Sequence, residues 1–316
     1  MKTWAWVSFW ILGFIWGSSF LLISIGVEEM SATQVVFIRC LIAAIGLNIV
    51  LWMRGRKLPR DRAMWRSLIL IGIGNAAIPY TFISLGEQTI SSGMAAVLQA
   101  TAALFTLVIA HFAFNDERMT AKKIIGLILG FSGVIVLSSK SIEGGQLDTP
   151  TLLGQLAIIC ASLFYASFVV YSRKVLKGQI EPIVVAAGTF IPATICAGIF
   201  VILEPLLGGR AWVPLESIQT DNVLAVFGLG FFNTFIAYLF FYYIIQQLGA
   251  FRATMVTYIV PVIGLVLGWL ILNETVDAIL IVGAGMIFAG IAVVNLRLWD
   301  LVKARGRVNR MAKAQA

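Results

Sequence analysis

Apolar residues run along the chain in ten long blocks separated by short polar segments. The blocks cover residues 4–25, 35–52, 67–86, 93–114, 124–139, 152–175, 182–203, 223–245, 253–272 and 278–298. A helix needs about 20 mostly apolar residues to cross the hydrocarbon of a bilayer, and the blocks meet or approach that length, the fifth being short. The polar connections leave no room for a soluble domain. The pattern predicts an all-α integral membrane protein with ten transmembrane helices. The first block begins after a single lysine, Lys2, and lacks a small-residue cleavage site, so it reads as a retained helix and not a signal peptide.

Within this pattern one polar arrangement occurs twice. Gly72-Ile-Gly-Asn75-Ala-Ala-Ile78-Pro-Tyr80 recurs 158 residues later as Gly230-Phe-Phe-Asn233-Thr-Phe-Ile236-Ala-Tyr238. An asparagine in hydrocarbon is costly without a partner, so two in register point to one module used twice. The register extends further. Asn115-Asp116-Glu117 precedes Gly126 and Gly133 as Asn273-Glu274 precedes Gly283 and Gly290, and Trp16-Gly17-Ser18 in the first block answers Tyr165-Ala166-Ser167 in the sixth. The chain therefore divides into a first repeat, 1–145, a second repeat, 146–298, and a basic tail, 299–316. Five helices is an odd number, so the second repeat enters the membrane upside down relative to the first. Inverted repeats place a binding site near the midplane between the halves and let them exchange conformations.

Composition agrees. Hydrophobic residues make up 60% and charged residues 12%, with a mean hydropathy of +0.95, against about 45–50% and 25% for a soluble domain. With the N-terminus cytoplasmic, twenty of the 23 Lys and Arg fall on the inner side, and only Lys140 and Arg210 on the outer side. That asymmetry predicts both termini cytoplasmic. It also accounts for the net charge of +8 without nucleic acid. Cys40, Cys160 and Cys196 lie in apolar blocks and read as buried free thiols. With one histidine and no CxxC pair, no metal site or cofactor is expected.

Several residues carry a family resemblance: Trp16-Gly17-Ser18-Ser19-Phe20, Arg39, the basic segment after the second block, and the run from Pro261 to Leu272-Asn273-Glu274. With the five-plus-five arrangement, they resemble the drug/metabolite transporter superfamily, specifically its EamA-like branch. The resemblance covers the chain to about residue 298. It implies transport of small metabolites, often export of amino acids. Leu98-Gln99-Ala100-Thr101-Ala102-Ala103-Leu104 stands where that family often has a proline like Pro261, which weakens the expectation of a symmetric kink in the fourth helix.

All fifteen carboxylates fall in loops or at helix ends. Proton relays usually use an intramembrane Asp, Glu or His. The coupling candidates are therefore His111, read as an interfacial residue pairing with a loop, and Glu87, read first as a solvated rim charge. Arg39 lies about one turn inside its block, where it either snorkels outward or faces the interior to meet an anion. Asn75 and Asn233 are candidates for the substrate site or for bonding helix to helix. Tyr80, Tyr165, Tyr238 and Tyr258 suit an amphiphilic organic ligand. Trp16 stands mid-helix, and Ser19, Gln99 and Thr101 add polar groups. The resulting expectation is a secondary transporter of the cell membrane, monomeric or homodimeric, exporting amphiphilic metabolites such as amino acids by alternating access. The alternative is a non-transport membrane protein, such as a lipid-modifying enzyme or an assembly subunit. No G-x-x-x-x-G-K-[ST] occurs, which excludes ATP-driven transport within this chain.

Overall fold

A computed structural model describes residues 2–115, 117–143, 146–176 and 180–295. The tail 299–316, Asp116, Lys177 and the predicted helix end at Leu298 lie outside the described residues. Ten helical segments occupy the predicted blocks among the described residues. They are α1 (Lys2–Glu29), α2 (Ala32–Met53), α3 (Arg62–Gly86), α4 (Ser92–Ala113), α5 (Ala121–Ser138), α6 (Thr149–Leu176), α7 (Pro182–Leu206), α8 (Thr220–Leu248), α9 (Ala250–Thr254, Met255–Tyr258 and Val260–Ile271) and α10 (Ala278–Asn295). A two-residue antiparallel hairpin, Ile142–Glu143 against Gln146–Leu147, separates the repeats.

The helices start where the sequence offers caps. Ser31, Asp61, Ser91 and Thr120 each accept a first-turn backbone N–H, at the heads of α2, α3, α4 and α5. Packing then follows the repeat. α1 lies against α8 and α9, as α6 lies against α3 and α4; α2 contacts α8, as α7 contacts α3. The remaining close pairs join counterparts: α2 with α7, α4 with α9, and α5 with α10. Advancing every helix by five regenerates the same set of neighbours, which is the two-repeat architecture seen in three dimensions.

Glycine makes the α5–α10 contact possible. A Cβ on Gly126 would lie 2.7 Å from the Gly290 carbonyl oxygen, and one on Gly133 would lie 2.6 Å from that of Gly283. The backbones thus approach too closely for any side chain, and they cross antiparallel. In lipid, where apolar surface alone does not favour association, such close contact is what holds helices together. Large apolar side chains away from these contacts face outward, among them Trp10, Phe14, Ile49, Ile128, Ile135, Ile199 and Ile202. They form the lipid-facing surface. Cys160, expected buried, is exposed there too, because its position on α6 points away from the other helices.

The duplicated Gly-x-x-Asn motif has a structural meaning the pattern alone did not reveal. Both copies are π-helical, over Ile73–Ala77 in α3 and Phe231–Ile236 in α8. In α3 the cause is visible: Pro79 has no N–H to return to the carbonyl of Asn75. In α8 the Thr234 hydroxyl donates to the Leu229 carbonyl at 2.9 Å. π-bulges re-aim side chains and recur at functional sites. The α4 expectation needs correction. α4 breaks at Ala100 between Ser92–Gln99 and Thr101–Ala113, although no proline is present. α9 breaks over Met255–Tyr258, the corresponding place. Repeat geometry therefore imposes the break, and Pro261 accompanies it in one half only.

Candidate functional site

Arg39 is the pivot of the interior. It is 5% exposed, so it does not snorkel to the rim. Its Nε donates to Thr234 Oγ1 at 2.7 Å, and its guanidinium carbon lies 3.8 Å from the centre of the Tyr80 ring. An arginine deep in an apolar span costs roughly 3 kcal/mol or more when isolated. Here a hydroxyl on the α8 π-bulge and an aromatic face at the end of the α3 π-bulge offset part of that cost. The approach is close because Gly230 lies beneath, where a Cβ would come 3.3 Å from the Arg39 Cα. Among the described residues, the terminal guanidinium nitrogens have no hydrogen-bond partner.

Aromatic rings continue from this point. Tyr80 lies 6.3 Å from Tyr165, with the Tyr165 and Tyr238 hydroxyls in hydrogen-bonding reach of its own. Tyr238 contacts Phe190 at 5.2 Å, Tyr242 at 6.0 Å and Trp16 at 6.4 Å. Trp16 is therefore an interior residue shared between α1 and α8. The cluster joins both repeats and combines rings with hydroxyls. A cavity of about 60 Å³ reaches Tyr242 from the end carrying the basic loops, lined by Arg54, Ile183, Leu239, Tyr242, Tyr243 and Gln246.

The two asparagines differ. Asn233 Nδ2 donates to the Ile15 carbonyl, to Ser18 Oγ at 2.9 Å and to Ser19 Oγ at 3.2 Å. It fastens α8 to α1, and it accounts for Ser19. Asn75 makes no such bond, and its Oδ1 is buried without a partner. Gln99 accepts from Ser162 Oγ at 3.3 Å and ties the α4 break to α6. Thr101 bonds back to the Leu98 carbonyl. Tyr258 is half-buried at the α9 break, and its ring makes no aromatic contact with the Arg39 cluster among the described residues. His111 accepts from the Met119 N–H at 3.2 Å and stays at the loop end of α4. Glu87 corrects the rim reading: it is 5% exposed, just past the α3 turns Ile78–Gly86 that pack against α1, α2 and α6.

Several residues escaped the sequence pattern. Thr234 matches an alanine, Ala76, in the other copy, so duplication did not mark it. At the end opposite the basic loops, Glu204 accepts from the Thr33 N–H at 3.1 Å and from the Thr33 hydroxyl. Gln34 exchanges bonds with the Val213 backbone, and Asn222 donates to the Ile25 carbonyl at 2.9 Å. Lys140 pairs with Asp277 at 2.8 Å. That end is sealed between repeats by polar contacts. At the basic end, Arg56–Glu181 and Arg173–Glu117 bridge the repeats as exposed ion pairs.

The profile of the EamA-like transporter family matches residues 3–139 and again 152–296. The chain belongs to the EamA-like transporter family. Among relatives, the inner membrane transporter YedA of Escherichia coli is 29% identical over 287 residues, covering 89% of this chain and 87% of that one. The transporter YoaV of Bacillus subtilis is 27% identical over 281 residues, covering 88% and 91%. A probable amino-acid metabolite efflux pump of Escherichia coli is 25% identical over 293 residues, covering 92% and 94%. One crystal structure superposes with a TM-score of 0.65 at 19% identity over 95% of this chain and 99% of that one, which speaks for the fold alone. This EamA-like chain is a multi-pass transporter of the cytoplasmic membrane, acting on a small molecule in a lipid environment.

Proposed function

We propose that the protein exports amino acids or closely related amphiphilic metabolites by alternating access, with Arg39 binding the substrate carboxylate. The observation that carries this reading is the inward guanidinium, held through Nε and the Tyr80 face while its terminal nitrogens lack a partner among the described residues. A guanidinium fork pairs bidentately with a carboxylate and stays charged at any working pH. The Tyr165, Tyr238 and Trp16 rings then receive the apolar side chain, and Asn75 Oδ1 accepts from the ammonium. The relative named as a probable amino-acid metabolite efflux pump supports this substrate class.

In this reading both termini are cytoplasmic, so the basic end faces the cytoplasm. The cavity at Tyr242 is then the inward path, and the Thr33–Glu204 contacts form the outer seal. The halves 1–145 and 146–298 exchange conformations to reverse the access. The protein works as a monomer or homodimer, without nucleic acid, and as a carrier rather than an enzyme.

Efflux of a panel of the common L-amino acids from proteoliposomes tests it. Losing a charge-assisted hydrogen bond costs about 1.5–3 kcal/mol, so Arg39→Leu should lower efflux by roughly 10- to 100-fold. Arg39→Lys keeps the charge without the fork and should fall between. Wild-type efflux by Arg39→Leu, at equal membrane abundance, would refute the carboxylate anchor.

A further inference from the structure

At the end opposite the basic loops, three side chains hold polar atoms the fold leaves unmet or shares unevenly. Glu87 follows the last residue of the α3 span, is 5% exposed, and among the described residues no side chain or backbone group pairs with either carboxyl oxygen at hydrogen-bonding geometry. Ser92 is fully buried, and its hydroxyl has no partner among the described residues. Glu274, after α9, accepts the backbone N–H groups of Ser92 at 2.7 Å and Gly93 at 2.9 Å. A Cβ on Gly268 would lie 2.4 Å from Glu274 Oε2 and 2.7 Å from Ser92 Oγ. The carboxylate and the free hydroxyl thus converge on one glycine-lined gap.

The two acids are unequal. Glu274 has the N-terminus of α4 for its charge, where aligned N–H groups favour an anion. Glu87 has no such array of N–H groups, and a buried carboxylate without one holds a proton more readily than a charge. The charged groups acting on Glu87 are Glu274 from the α9 end and Arg39 from α2. α1 brings the Ser24 backbone alongside. α6 brings Gly154 and Ile158 against the neighbouring Gly86, neither of them titratable. Burial, and after it the Glu274 charge, push the Glu87 carboxyl well above the usual carboxylate range, and Arg39 and the Ser24 backbone oppose them.

We propose that the buried Glu87 carboxyl is a proton-binding site that takes up one proton, and that this proton drives the exchange of the two halves. The driving role rests on the transport reading above; the binding of the proton does not. The donor set selects a proton over a metal ion. A hard cation asks for about six oxygen ligands. Here Glu87 offers one carboxyl, and the Glu274 carboxyl is already occupied by the Ser92 and Gly93 N–H groups.

The sign of the pH dependence follows. A carboxyl whose pKa is raised by folding contributes stability that is complete below its ordinary value of 4.5 and is lost as pH rises through the raised value. Thermal unfolding of the purified full chain in detergent, from about pH 5 to 9, should show the wild-type midpoint falling with rising pH. Glu87→Gln should be flat over that range. Glu274→Gln removes the neighbouring charge and should move the wild-type transition about one pH unit lower. Difference potentiometric titration should count one more proton bound by wild type than by Glu87→Gln, with Glu87→Asp restoring it. Equal pH profiles for wild type and Glu87→Gln, with no difference in protons bound, would overturn the proposal. A midpoint raised by sodium chloride but not by choline chloride, in wild type and not in Glu87→Gln, would also overturn it in favour of a sodium site. None of these readouts requires substrate, so a failed transport reading would leave them intact.

Discussion

The two asparagines of the duplicated motif show how one residue type serves different ends. Asn233 spends its amide on three acceptors of α1, while Asn75 keeps a buried oxygen without a partner. Side-chain hydrogen bonds between membrane helices average about 0.6 kcal/mol each and reach about 1.7. Asn233→Ala should therefore lower thermal stability by about 1–2 kcal/mol. Asn75→Ala should leave stability unchanged or slightly raised while impairing efflux. Thermal unfolding beside efflux separates these outcomes, and equal destabilisation by both would remove Asn75 from the substrate site. Glu117 offers a second test. The Arg173 hydrogen bond, outweighing its partial burial, holds its carboxyl below the ordinary value of 4.5. A lowered pKa contributes stability that is complete above 4.5 and disappears as pH falls through the lowered value. Arg173→Gln should flatten that acid limb of the stability profile.

At the scale of elements, the α5–α10 pair and the π-bulged helices have opposite requirements. The pair needs contact without side chains, and Gly126, Gly133, Gly283 and Gly290 provide it on both backbones. Gly290→Val would drive methyl groups into the Gly126 carbonyl and the Gly130 backbone, which lie within 2.8 Å of the Cβ position. Neither helix backbone can retreat without losing the crossing. The expected cost is about 1–3 kcal/mol, the usual range for overpacking, measured as a lower unfolding midpoint. The π-bulged helices instead trade regularity for placement, since their irregular turns present Thr234 to Arg39 and hold Asn233 against α1.

The whole molecule is asymmetric although its helices are arranged with two-fold pseudosymmetry. One end is closed by Thr33–Glu204, Gln34–Val213, Asn222–Ile25 and Lys140–Asp277, and the other by exposed ion pairs. Exposed pairs contribute about 0–1 kcal/mol, so the basic end is the weaker seal. Glu204→Gln together with Thr33→Val should shift the population towards a state open at the Thr33–Glu204 end. Cysteines introduced near residues 33 and 213 should then label faster with a membrane-impermeant reagent applied from outside. With both termini cytoplasmic, cysteines in 54–62 should label only from inside, and labelling from outside would reverse the orientation.

Helix number and the doubled architecture were legible in the linear pattern, because each reflects a local condition. A span must be apolar along about 20 residues, and a repeat keeps its register along the chain. Arg39 stood out for the same reason: a charge inside an apolar run is anomalous without knowledge of its neighbours. What Arg39 meets was not legible, because Thr234 lies 195 positions away and has no counterpart in the first copy. Glu87 was misjudged on the same ground. Its position at a helix end suggested water, yet it is buried where the end of α3 packs among α1, α2 and α6. The break at Ala100 likewise came from repeat geometry, with no local residue to announce it. Composition and spacing constrain which segments enter the membrane. The partners of a buried polar group depend on packing between segments distant in the chain, and that is where the two halves, so similar in pattern, become different.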